Sequence, residues 1–204
     1  MAQARQPRKT RPIPKVLTAK EEFAILKRPN QKCRTGLRNY CMLRLMLHAG
    51  LRSAEVRGLK VGDIDWLSGR LHIVEGKGRK DRILWLPSPV LEDLKSWREV
   101  RPGGGGAADE LLFVTLKGEY IKSQYLNAMV GRLARKASIQ RNVGPHLLRH
   151  TFATNFYRQT KDLMMVKKVL GHSSVSTTQI YTHLVDDDLE AAMKDFLVVT
   201  PSFR

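Results

Sequence analysis

The hydrophobic rhythm of this chain changes at Gly69, and the change limits the folds open to it. From there GRLHIVEG alternates apolar and polar residues, KGRK has turn chemistry, and DRILWLP alternates again. A period of two on both sides of a turn predicts a β-hairpin. Around the hairpin the period is helical. Thr18, with Glu21 three residues on, has capping-box spacing and opens a first helix. Leu37 to Ala49 is apolar almost all round, as a buried helix is, and Gly50 stops it. Another helix starts after Arg52, with Ser53 as its cap and Val56 and Leu59 facing inward. Helical pattern resumes near Val90 and again from Tyr120, with breaks at Asn142-Val143-Gly144-Pro145 and at Gly171. The run Gly103 to Gly106 reads as a flexible surface connection, and there is no internal repeat. The expected fold is mainly α with a small antiparallel β-sheet near its first third, an α+β class.

A chain of 204 residues can build one core without disulfides or a structural metal. Its 36 Lys and Arg against 19 Asp and Glu leave a net charge of +17, which calls for a polyanionic partner. Nucleic acid comes first and an anionic membrane second. No apolar run approaches the roughly 20 residues that span a bilayer. The N-terminus lacks the apolar core of a secretory signal, and its prolines spoil the amphipathic helix of a transit peptide. Cys33 and Cys41 form neither a disulfide framework nor a CxxC pair, so a reducing cytoplasm fits. Residues 1–15 hold five basic residues, three prolines and no acid. They read as a basic arm or interdomain linker ahead of a domain over 16–204.

Four stretches offer chemistry. In GPHLLRHTFATNF, Pro145 suits a first helical turn. His146 and Arg149 share a helix face there, with Leu148 and Phe152 mostly opposite. An Arg beside a His can grip a phosphate by a planar fork and a single donor, though both residues also suit a solvated polar face. His146 and His150 have the i, i+4 spacing of zinc ligands. No glutamate lies between them, however, and Arg149 on the same face repels a cation. In GLRSAEVRGL, Arg52 precedes a helix N-terminus, where a guanidinium and backbone donors suit an oxyanion; a surface pair with Glu55 reads equally well. Lys77 sits in EGKGRK between two glycines, exposed on its hairpin, with Lys80 competing. In LGHSSVSTTQIYTHL, Tyr181 follows His172 by nine positions and, taken alone, reads as an ordinary packed tyrosine.

Together and in order, GLRSAEVRGL, EGKGRKDR, HLLRHTFATNF and LGHSSVSTTQIYTH resemble the tyrosine recombinase (phage integrase) family, above all its Xer-type bacterial and archaeal members. They run from Gly50 to His183, about two-thirds of the chain. The resemblance implies the catalytic-domain fold of that family. It also implies site-specific recombination of double-stranded DNA (integration, excision or resolution) through a covalent 3′-phosphotyrosyl intermediate, without metal, cofactor or ATP. It maps the functional set onto Arg52, Lys77, His146, Arg149, His172 and Tyr181. In those roles Tyr181 is the nucleophile, and Arg52 and Arg149 hold the non-bridging oxygens with His172 as a further donor. Lys77 protonates the leaving 5′ oxygen, and His146 assists proton movement at the nucleophile. Two readings of other classes stand beside it: a type IB topoisomerase acting on single sites, and a decayed module that binds DNA without cutting it. Family members usually carry a separate helical DNA clamp ahead of the catalytic part. Only about fifteen residues precede it here, as in a minimal enzyme or a catalytic fragment. The tail, Asp186 to Arg204, contains the amphipathic LEAAMKDFL. It suits docking on its own core or, as the resemblance implies, on a neighbouring protomer in a homo-oligomer of up to four chains on DNA. No membrane partner is expected.

Overall fold

The computed structural model describes residues 16–74, 81–103, 110–171 and 193. Apart from Met193 these belong to one unit, Val16–Ser173. Lys77, Lys80, His172, Tyr181, the arm over 1–15, the glycines at 104–106 and all of the 186–204 tail but Met193 lie outside the described residues.

Helix α1 (Ala19–Leu26) begins with the reciprocal bonds its sequence requires. Thr18 Oγ1 accepts from the Glu21 N–H at 3.3 Å, and the Glu21 carboxylate accepts from the Thr18 N–H at 2.7 Å. Helix α2 (Arg34–His48) buries Cys41, Met42, Leu43, Leu45 and Met46 completely. From Gly36 on, only the stripe of Leu37, Tyr40, Arg44 and His48 is less than fully covered, so α2 is enclosed over most of its circumference and sits at the centre of the core. Gly50 ends this segment at φ +65°, where a Cβ would also stand 2.3 Å from the Phe152 ring. Only glycine suits both conditions.

Helix α3 (Ser53–Gly58) is capped by Arg52, one residue earlier than the serine expected. Glu55 reaches back to the Arg52 N–H at 2.7 Å, so the acid three residues inside the helix does the work of the cap. Val56 and Leu59 are buried as their spacing predicts. After a short 3₁₀ turn (Val61–Asp63), strands β1 (Arg70–Ile73) and β2 (Arg82–Trp85) pair antiparallel, from Arg70 opposite Trp85 to Ile73 opposite Arg82. Helix α4 (Ser88–Val100) packs on α2 through Val90, Leu91, Leu94 and Trp97.

Leu111 to Val114 form a buried segment, with isolated bridges at each end and a bend at Leu112, that no sequence pattern flagged. Leu112 donates to the Leu59 carbonyl at 2.7 Å and accepts from the Trp97 indole at 2.8 Å. Helices α5 (Ser123–Lys136), α6 (Pro145–Thr160) and α7 (Leu163–Leu170) complete the unit. The break before Pro145 is the expected one. A second break, at Lys161 with φ +54°, carried no glycine or proline signal. Asp162 then caps α7, accepting from the N–H groups of Met164 and Met165. The fold is mainly helical with a two-stranded antiparallel sheet, as the hydrophobic rhythm predicts. No helix among the described residues is long and apolar enough to cross a membrane.

Candidate active site

The start of α3, strand β2 and helix α6 meet at one carboxylate, and main-chain oxygens at the ends of α2 and α7 hold the arginines around it. Glu55 accepts from the Arg52 side chain at 2.7 Å, and from both terminal nitrogens of Arg82 at 3.0 and 2.8 Å. Arg149 Nη1 lies 3.7 Å from it. Burial alone would push the Glu55 carboxyl up. The bonds and charge of Arg82, with the Arg52 N–H and the Arg149 charge, overcome that and hold it down at about 2. Glu55 is therefore a carboxylate at any pH near neutrality.

Arg52 and Arg149, far apart in sequence, come to successive carbonyls of one turn. Arg149 Nη2 donates to the Leu170 oxygen at 2.6 Å, and Arg52 Nη2 to the Gly171 oxygen at 3.2 Å. Arg149 Nη1 also donates to the Gly50 oxygen at 2.5 Å. Backbone left unpaired by the ends of two helices, α2 and α7, orients the arginine. The pairing of Arg52 with Glu55 is real, but it is half-buried rather than a surface contact. Next to it a cleft of about 340 Å³ opens, lined by Arg52, Glu55, Lys60, Asp63 and His72 among others. Three guanidiniums and one carboxylate leave a surplus of positive charge, which can receive an anion.

The other expected residues divide. His146 is exposed on the first turn of α6, while Arg149, three residues on, is buried. Phe152, expected to face away from the arginine, meets the same Gly50 whose carbonyl Arg149 holds. His150 is half-buried, and desolvation, with the charges of His146 and Arg149, holds its pKa below the usual histidine value. No group of three metal-ligating side chains occurs among the described residues. Two other tyrosines that could compete with Tyr181 are built into the core. Tyr125 Oη lies between Arg38 and Asn39, at 2.5 and 3.0 Å, and Tyr157 is buried. Lys77, His172 and Tyr181 fall outside the described residues.

Sequence reasoning passed over Glu55 as a hub and Arg82 altogether. A signal for Arg82 was present in the alternation of DRILWLP. If Leu84 and Leu86 face the core, Arg82 must as well, and the strand turns Ile83 and Trp85 outward instead.

Residues 15–187 match the phage integrase family model. The chain is 34% identical over 192 residues to tyrosine recombinase XerD of Staphylococcus saprophyticus, covering 93% of this chain and 65% of the relative. It is 35% identical over 178 residues to tyrosine recombinase XerC of Vibrio vulnificus, covering 87% and 56%. It thus spans somewhat under two-thirds and somewhat over half of these relatives. Among solved structures it is similar to XerA recombinase, with a TM-score of 0.78 and 30% identity over 97% of this chain and 68% of that one. XerH recombinase in a post-cleavage complex with its palindromic difH substrate gives a TM-score of 0.73 and 33% identity over 89% and 53%.

Proposed function

The chain belongs to the phage integrase family, and from that premise we propose that it is a site-specific tyrosine recombinase acting on double-stranded DNA. The observation that carries this reading is the convergence of Arg52 and Arg149 on one turn, around a carboxylate too small in charge to neutralise them. A phosphodiester under attack gains negative charge on its non-bridging oxygens. Two oriented guanidiniums stabilise that charge more than they stabilise the ground state. Tyr181 attacks the phosphorus, the bond to the 5′ oxygen breaks, and Lys77 supplies the proton that leaves with it. His172 adds a donor to the phosphate, and His146 assists proton movement at the tyrosine. The 3′-phosphotyrosyl product keeps the energy of the broken phosphodiester, so a 5′ hydroxyl reverses the step without ATP.

The enzyme works in the cytoplasm on DNA, as a homo-oligomer of up to four chains held through the amphipathic 186–204 tail. The likenesses are to recombinases, so neither single-site relaxation nor a decayed binding module is favoured. A library of nicked duplexes with randomised flanks tests the reading: a nick in the cut strand just 3′ of the scissile phosphate lets the short fragment with the freed 5′ hydroxyl diffuse away, which traps the covalent product. Wild type should yield a protease-sensitive protein–DNA adduct. Tyr181→Phe should bind the same DNA and yield none. An adduct that persists in Tyr181→Phe removes the assigned nucleophile. Rejoining without exchange between two captured sites points to a topoisomerase, and binding without any adduct to a decayed module.

A further inference from the structure

Arg82 is 8% exposed, and β2 turns it inward where its neighbours Ile83 and Trp85 face out. Its Nε donates to the Val169 oxygen at 2.9 Å, and its two terminal nitrogens take one oxygen each of Glu55. A strand that carries a buried arginine gives up apolar burial at that position, and a hydrophobic residue would usually do no worse for stability. The charge count gives the arginine a use. Without Arg82, Glu55 would face Arg52 and Arg149 alone, two cations against one anion. With Arg82, both carboxylate oxygens are occupied by its fork, and three cations share one anion.

We propose that Arg82 is a positioning residue: by holding both oxygens of Glu55 it keeps Arg52 and Arg149 electropositive toward the scissile phosphate, without touching DNA itself. The proposal rests on the reading of Arg52 and Arg149 as the phosphate grip. It also makes β2, the strand that follows the segment bearing Lys77, a fixed part of the arginine site rather than a neighbour of it.

The test compares Arg82→Gln, Arg82→Lys, Glu55→Gln and the Arg82→Gln/Glu55→Gln double variant in single-turnover cleavage of pre-bound nicked DNA. Each is measured on an ordinary scissile phosphate and on a methylphosphonate, which carries no charge there. Folding is checked by circular dichroism. Arg82→Gln should bind DNA as wild type does and cleave the ordinary phosphate about 10–100-fold more slowly, the scale on which supporting partners act at charged metal sites. On the methylphosphonate that deficit should shrink to within about threefold, because there is less charge to stabilise. The double variant should cleave faster than Arg82→Gln, since the carboxylate left to quench the arginines is gone. Arg82→Lys keeps the charge but loses the fork, so it should be slowed less than Arg82→Gln. It carries the two-substrate comparison if Arg82→Gln does not fold. Wild-type cleavage by Arg82→Gln, or an equal deficit on both substrates, overturns the proposal and leaves Arg82 as a hairpin anchor. Absence of an adduct from wild type would instead overturn the recombinase reading.

Discussion

His48 and Glu55 hold protonation states that the unfolded chain would not keep at the same pH, and they do so in different windows. Burial, with the charge of Arg44, lowers His48 from 6.5 to about 4, and its Nε2 is buried without a partner. The unfolded chain takes up a proton there below pH 6.5 that the folded chain refuses until about 4. The contribution of His48 to stability is therefore full above 6.5 and is lost as the pH drops toward 4. Desolvation lowers His150 in the same direction. Glu55 acts lower. Its contribution is complete above its unfolded value of 4.5 and is lost as the pH falls toward 2. Urea unfolding at pH 7, 5.5 and 4 should show stability declining across the first window, and His48→Gln should flatten the decline. An unchanged pH slope in that variant would mean that His48 titrates alike in both states. Arg52 and Arg149 were readable as candidates because motif and spacing single them out. Glu55 was not, since a carboxylate three residues after an arginine usually forms a surface pair. Its role comes from Arg82 and Arg149, which reach it only through the tertiary fold.

At the scale of elements, the join between α2 and α6 is the tightest point near the site. Gly50 takes a left-handed conformation, offers its carbonyl to Arg149 and lies against the Phe152 ring. Gly50→Ala should cost about 2–4 kcal/mol, combining left-handed strain with overpacking against the ring. For a domain of this size that lowers Tm by roughly 4–16 °C. The shift is read by calorimetry, and a shift of less than a degree would show that Phe152 and the turn relax at no cost. A companion Gly50→Ala/Phe152→Leu variant should recover part of the loss. The strongly periodic elements, such as α2 and the paired strands, were legible because burial follows one face of each strand and most of the circumference of α2. Leu111 to Val114 were not, since a four-residue apolar run fits a strand or a buried turn of helix equally. The break at Lys161 was hidden because a left-handed lysine has no sequence signature, unlike the left-handed Gly171 that ends α7.

At the scale of the whole molecule, a net charge of +17 should make DNA binding steeply dependent on salt, because each neutralised phosphate releases counterions. Deleting residues 1–15 removes Arg5, Arg8, Lys9, Arg11 and Lys15. If all five contact phosphates, the slope of log affinity against log salt should flatten by about four to five units, at roughly 0.9 per contact. Fluorescence anisotropy between 50 and about 200 mM salt, the range over which such contacts weaken, reads it. An unchanged slope would mean that the arm does not touch DNA. Cleavage of pre-bound substrate should survive the deletion, and its loss would make the arm part of the working fold. The charge was legible from composition; the clasp that organises it was not. Arg149 is tied to main-chain oxygens of two separate turns, at Gly50 and at Leu170. That gives it a second identity as a rivet through the scaffold. An inactive protein made by deleting it would have two loosened chain reversals as well as a missing charge, and its silence could not be assigned to chemistry. On the proposed assignment of Tyr181 as the nucleophile, the clean lesion for trapping an intact DNA assembly is Tyr181→Phe, which removes a hydroxyl and leaves the rivet in place.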